Sequence, residues 1–91
     1  MSKLIKFRSP GNKSVIAENA EEAALIYANR VARREYGKLG RVACFYATGW
    51  AFDGSHVEYN AFIGKPSESG GIGGRNILVR SDMDRKEVKL L

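Results

Sequence analysis

Seven cations are the residues of this sequence whose types and spacing suit chemistry, and the chemistry is the recognition of anions. Arg30, Arg33 and Arg34 fall within one helical stretch, Lys38 and Arg41 follow at once, and Lys65 and Arg75 flank a glycine-rich segment. With Ala20 at zero on a helical wheel, the three arginines stand at about 280°, 220° and 320°, on one flank. Cations in a last helical turn offset the helix dipole, and their stems lie over apolar neighbours. One or two suffice for that purpose. Five between Arg30 and Arg41 exceed it, and the excess reads as a basic patch for phosphates or acidic side chains.

The other reactive types do not assemble into a catalytic or metal-binding set. His56 is the one histidine and Cys44 the one cysteine, so a zinc-type site lacks ligands. Cys44 follows "RVA" in an apolar run and is expected to be buried and inert. Asp82 and Asp84 in "SDMD" suit magnesium only with a substrate phosphate, and carboxylates capping a helix are the commoner use of the same letters. No nucleophile and base pair is recognisable from spacing. The expectation is a protein that is not an enzyme, with no cofactor, no metal and no small-molecule substrate.

The segment "GKPSESGGIGGRN", Gly64 to Asn76, fits neither the P-loop pattern nor G-x-G-x-x-G opening a helix. Two readings stand. It is a mobile connection between strands, or an adaptable loop that orders on a partner and offers Lys65 and Arg75 to phosphates.

The elements that must position these groups follow from hydrophobic periodicity. "KLIKFR" alternates as a half-buried strand, "SPGN" is a turn, and "KSVIAE" returns as a second strand. Asn19 is an N-cap with Glu22 in the capping-box position, which predicts a helix from Ala20 to about Tyr36. Its buried stripe is Ala20, Ala24, Tyr27, Ala28 and Val31, with Ala23 at the edge, and Gly37 or Gly40 ends it. "RVACFYATGWAF" and "SHVEYNAFIG" are paired strands about Asp53–Gly54, and "NILVRS" is another. With no bulge at Gly49, alternation sets Phe45 opposite Tyr46, Trp50 and Phe52, with Trp50 in or beside the core. "SDMDRKEVKLL" suits a helix start at Ser81 or an edge strand. The fold class is α+β: one domain over residues 1–91, ββαβββ, with one main helix on one face of an antiparallel sheet of four to five strands.

Composition sets the outer limits. At 91 residues, 44% hydrophobic and 27% charged, the chain has the balance of a folded protein. Its net charge of +5 and pI of about 9.6 favour an anionic partner, nucleic acid included, or serve solubility alone. Lys6 and Arg8 interrupt the opening apolar stretch, and nothing approaches the roughly 20 apolar residues of a membrane span. With a single cysteine suited to a reducing compartment, the expected location is the cytoplasm, with no membrane partner.

The layout of "KLIKFR", the helix "AEEAALIYANRVARREYG" and the hairpin "RVACFYATGWAFDGSHVEYNAFIG" resembles the small phage-encoded anti-CRISPR proteins that act on type I-F surveillance complexes. The resemblance is one of size and plan along the chain. It implies an inhibitor in the host cytoplasm that binds a CRISPR-Cas effector complex of Cas proteins and guide RNA and blocks target DNA hybridisation. Many such inhibitors are acidic mimics of DNA, whereas this chain is basic, which points to contact with guide RNA or with protein. The order helix, three strands and a further element is also similar to the double-stranded-RNA-binding domain, which implies a free-standing nucleic-acid-binding module. "SDMDRKEV" stands where that family has a lysine-rich helix start.

Overall fold

The computed structural model describes residues 3–91. Two strands, β1 (Ile5–Ser9) and β2 (Lys13–Ala17), form the opening hairpin. Gly11 takes φ +81° at its turn, where a side chain would be strained. Helix α1 spans Ala20–Tyr36. The Glu22 N–H donates to Asn19 Oδ1 at 2.8 Å, and Glu22 Oε1 accepts from the Glu18 N–H at 3.3 Å. One orphan donor of the first turn and the N–H just before the cap are thus satisfied. A 3-10 turn, Gly37–Leu39, leads into β3 (Arg41–Trp50), β4 (His56–Pro66), β5 (Ile72–Asp82) and β6 (Glu87–Leu90).

The six strands make one mixed sheet in the order β2-β1-β6-β5-β4-β3. Fewer strands and a wholly antiparallel sheet were expected. The difference lies in "EVKLL", which forms β6 and enters the middle of the sheet. There it runs antiparallel to β5 (Ser81↔Val88) and parallel to β1 (Arg8↔Glu87). Val88 is fully buried, and that burial is what decides strand over helix. Ser81 and Asp82 belong to β5, so Asp82 caps no helix. Its carboxylate accepts the Arg85 N–H at 2.9 Å and closes the turn between β5 and β6.

One face of the sheet is covered by α1, through Ala23, Ala24, Tyr27, Ala28, Val31 and Ala32. Against them lie Phe7, Val15, Tyr59, Ala61, Ile63, Ile77, Val79 and Val88. Small alanines let the helix backbone approach closely, and Phe7 and Ile63, each fully buried, fill the space on either side. Phe45 stacks on Tyr59 with ring centroids 4.9 Å apart. The opposite face is open, and it carries Ile16, Tyr46 and Leu78 in contact with solvent.

The glycine-rich segment is sheet rather than loop. β4 and β5 pair without a break from His56↔Asp82 to Pro66↔Ile72, which leaves only residues 67–71 as a turn. Gly64 and Gly74 are cross-strand partners, and a Cβ on Gly74 would run into the carbonyl of Ile63. Here glycine permits a close crossing of two strands.

Edge strand β3 carries two register shifts, one between Val42 and Cys44 and one between Ala47 and Gly49. Such bulges discourage another chain from adding to an edge. They also overturn two expectations. The first bulge moves Cys44 to the open face beside Phe62, so the thiol is exposed rather than buried. The second falls at the Gly49 step assumed regular and pairs Trp50 with Val57, on the helix side. Trp50 is nonetheless 68% exposed, so it stands outside the core.

Candidate anion-binding site

Chain direction gathers the basic residues. α1 runs from an acidic first turn, Glu21 and Glu22, to a basic last turn, Arg33 and Arg34. Both charges suit the helix dipole. The Gly37 N–H bonds back to the Arg33 carbonyl and caps the helix. The 3-10 turn then brings Lys38, and Gly40 returns the chain against the helix so closely that a Cβ there would strike the Ala32 carbonyl. β3 opens with Arg41 opposite Gly64, so Lys65 on β4 stands next in line. Arg75 on β5 lies at the same end, because it pairs with Ile63 and reaches Glu35 of α1.

The seven sequence-predicted cations therefore share one end of the molecule but divide into three situations. Arg33, Arg34, Lys38, Arg41 and Lys65 are exposed. Arg75 is forked onto Glu35, with Nε donating to Oε2 at 3.1 Å and Nη2 to Oε1. That hydrogen bond, with desolvation opposing it, holds the Glu35 carboxyl below the usual range. Arg75 is thereby largely neutralised locally. Arg30 is half-buried, and its Nη1 donates to the Ser14 carbonyl at 3.0 Å, tying α1 to β2.

The ion pairs among the described residues are Arg75–Glu35, Arg80–Glu58 and Lys89–Glu87. Arg30, Arg33, Arg34, Lys38, Arg41 and Lys65 take part in none of them. Exposed cations left without carboxylate partners repel one another and raise the local potential for an anion. This end of the molecule can therefore hold several phosphates or acidic side chains at once.

Sequence reasoning missed the contribution of the β1–β2 turn. Ser9, Pro10, Gly11 and Lys13 form one wall of a groove whose other wall is Tyr27, Arg30, Val31 and Arg34 of α1. Nothing periodic links Lys13 to Arg30. The contact arises only because α1 lies back across the hairpin that precedes it. Burial pushes the Tyr27 hydroxyl up, while the charges of Arg34 and Arg30 act in the opposite direction.

On the open face Tyr46 pairs with Asn60, Cys44 with Phe62, and Phe62 with Asn76. Asn60 Nδ2 donates to Asn76 Oδ1 at 2.9 Å. Next to them Arg80 bonds Glu58 at 2.7 Å. This face is more evenly charged than the helix end. His56 begins β4, and among the described residues no group of three or more His, Cys, Asp or Glu is placed to hold a metal ion. Among the described residues no helix is long and apolar enough to cross a membrane.

Comparison with protein-family models, curated proteins and solved structures returns no match for this chain.

Proposed function

We propose that this protein is a non-enzymatic inhibitor that docks its basic helix end on a CRISPR-Cas ribonucleoprotein complex and blocks target DNA hybridisation. The observation that carries the anion-binding part is the set of exposed, unpaired cations Arg33, Arg34, Lys38, Arg41 and Lys65 at one end of the fold. The resemblance in size and plan to type I-F inhibitors supplies the class of partner. Guide RNA phosphates and acidic seams of the Cas proteins are the surfaces such an end would meet.

A second reading, a free-standing nucleic-acid-binding module, is favoured by the open face. Tyr46 and Phe62 are diagonal neighbours there, and Tyr46 is 53% exposed. Aromatic rings so placed can stack on unpaired bases.

The test uses Arg33→Glu with Lys38→Glu, both exposed and neither ion-paired. A charge-assisted hydrogen bond contributes about 1.5–3 kcal/mol, so losing two should weaken binding to a purified type I-F complex by about a hundredfold or more. The thermal melt should be unchanged. Full inhibition of target hybridisation by the double variant would overturn the proposal. A mobility assay with naked RNA and DNA separates the readings, since a free-standing module binds alone, with affinity falling steeply as salt rises.

A further inference from the structure

Between the β1–β2 turn and the C-terminal half of α1 lies a groove of about 270 Å³, bordered by Ser9, Lys13, Tyr27, Arg30 and Arg34. That is just below the roughly 300–1,000 Å³ typical of small-molecule sites, so it suits one chemical group rather than a whole nucleotide. We infer that it is a seat for a single phosphate group, built from the half-buried Arg30 together with the exposed cations Lys13 and Arg34. The inference rests on the anion-binding reading of this end of the protein and names the chemistry of one position within it.

Four features carry it. Three cations, Lys13, Arg30 and Arg34, converge on the groove from two different elements, and no carboxylate lines it. Arg30 is held in place by the Ser14 carbonyl, so its remaining guanidinium donors are fixed before any ligand arrives. Tyr27 lines the groove and is 4% exposed, and its hydroxyl keeps solvent contact and takes no protein partner among the described residues. A phenol hydroxyl is a hydrogen-bond donor at neutral pH. The Ser9 hydroxyl, at the end of β1 on the other wall, is shut off from solvent and lacks a partner. Buried polar groups without partners are uncommon and ask for a reason. A tetrahedral oxyanion, with acceptors on every side, meets planar guanidinium forks, an ammonium and a phenol in the way a halide or an apolar group does not.

The probes are inorganic phosphate and one short single-stranded oligonucleotide prepared with and without a 5′-phosphate. Each is titrated into the full chain at constant ionic strength while backbone amide resonances are followed. Phosphate should give saturable shifts centred on Gly11–Lys13 and Tyr27–Arg34, absent with chloride. Arg34→Gln and Lys13→Gln should each weaken phosphate binding about tenfold, Tyr27→Phe by a smaller factor, and Arg33→Gln not at all. A 5′-phosphate dependence of oligonucleotide binding identifies a nucleic-acid terminus as the source. Equal affinity for both oligonucleotides, with saturable phosphate binding, identifies free phosphate or an internal phosphodiester. Non-saturating shifts, or shifts indifferent to Arg34→Gln, overturn the seat. Loss of complex inhibition in the Arg33→Glu, Lys38→Glu variant with phosphate binding intact would separate this site from the function of the surrounding patch. Intact inhibition with the seat abolished would leave the patch standing alone.

Discussion

The two ends of α1 answer the same electrostatic demand in different ways. At its start, Asn19 and Glu22 close a capping arrangement, and Glu21 and Glu22 face the positive end of the dipole. Asn19 and Glu22 are both bonded within the fold there. At its finish the Gly37 N–H already caps the Arg33 carbonyl, yet Arg33, Arg34, Lys38, Arg41 and Lys65 crowd the same end without carboxylate partners. The difference teaches how to tell structural charge from charge available to a partner. The first is accounted for by hydrogen bonds within the chain, and the second is left over.

That contrast can be broken most severely at Gly40, which seats the basic end against the helix. Gly40→Ala forces a Cβ onto the Ala32 carbonyl and is expected to cost about 3 kcal/mol, read by chemical denaturation. Anion binding should weaken with it, because Lys38 and Arg41 lose their fixed relation to α1. The opposite end should respond differently. Asn19→Ala removes the cap and should cost about 1 kcal/mol, while anion binding measured on the folded protein stays at the wild-type value. Smaller still is the effect expected at Trp50, whose ring is mostly in solvent. Trp50→Ala should destabilise by less than about 1 kcal/mol, and a melt lowered by far more would return that ring to the core.

The smallest effect is one of pH, and it sharpens the comparison at Glu35. Its folded-state pKa is depressed, first by the hydrogen bond from Arg75. A depressed carboxyl contributes stability above its unfolded pKa and loses it as pH falls through the lower folded value. Protonation also releases Arg75 from its fork. Acidification below the usual carboxylate range should therefore lower stability slightly while strengthening binding of inorganic phosphate at the basic end. Glu35→Gln, measured by titration across the same range, should flatten the part of both trends that this pair supplies.

The stripe of the helix was legible only in part: Ala20 is half-buried and Ala32, unexpected in the stripe, is fully buried. The helix bounds were legible, because the cap and the glycine stop are local signals. The strands of the central hairpin were legible for the same reason. The glycine-rich segment was not. Glycine reads as slack in a sequence, and only the register of β4 against β5 shows that Gly64 and Gly74 are needed for two backbones to cross. Bulges are equally silent, so Trp50 landed on the face that strict alternation denies it, and Cys44, expected to be buried in its apolar run, is exposed. At the candidate site, the exposed cations were visible as a run of letters. The division of that run was not, since the partners that occupy Arg75 and Arg30, Glu35 and the Ser14 carbonyl, are remote in the chain and lie close only in the fold.

The position of β6 has a consequence in time. Residues 87–90 stand between β1 and β5, so until they arrive the sheet is in two pieces, β2-β1 and β5-β4-β3, with the edges of β1 and β5 both unpaired. A ribosome adds about 5–20 residues per second, and the chain from β1 to β6 thus takes about 4 to 16 seconds to emerge. Throughout that interval the N-terminal hairpin and α1 must wait for the strand that joins them to the rest. Local segments such as the helix can form at once, but the joining of the sheet waits for residues 87–90, and a nascent chain stalled before Glu87 presents two open strand edges to its neighbours.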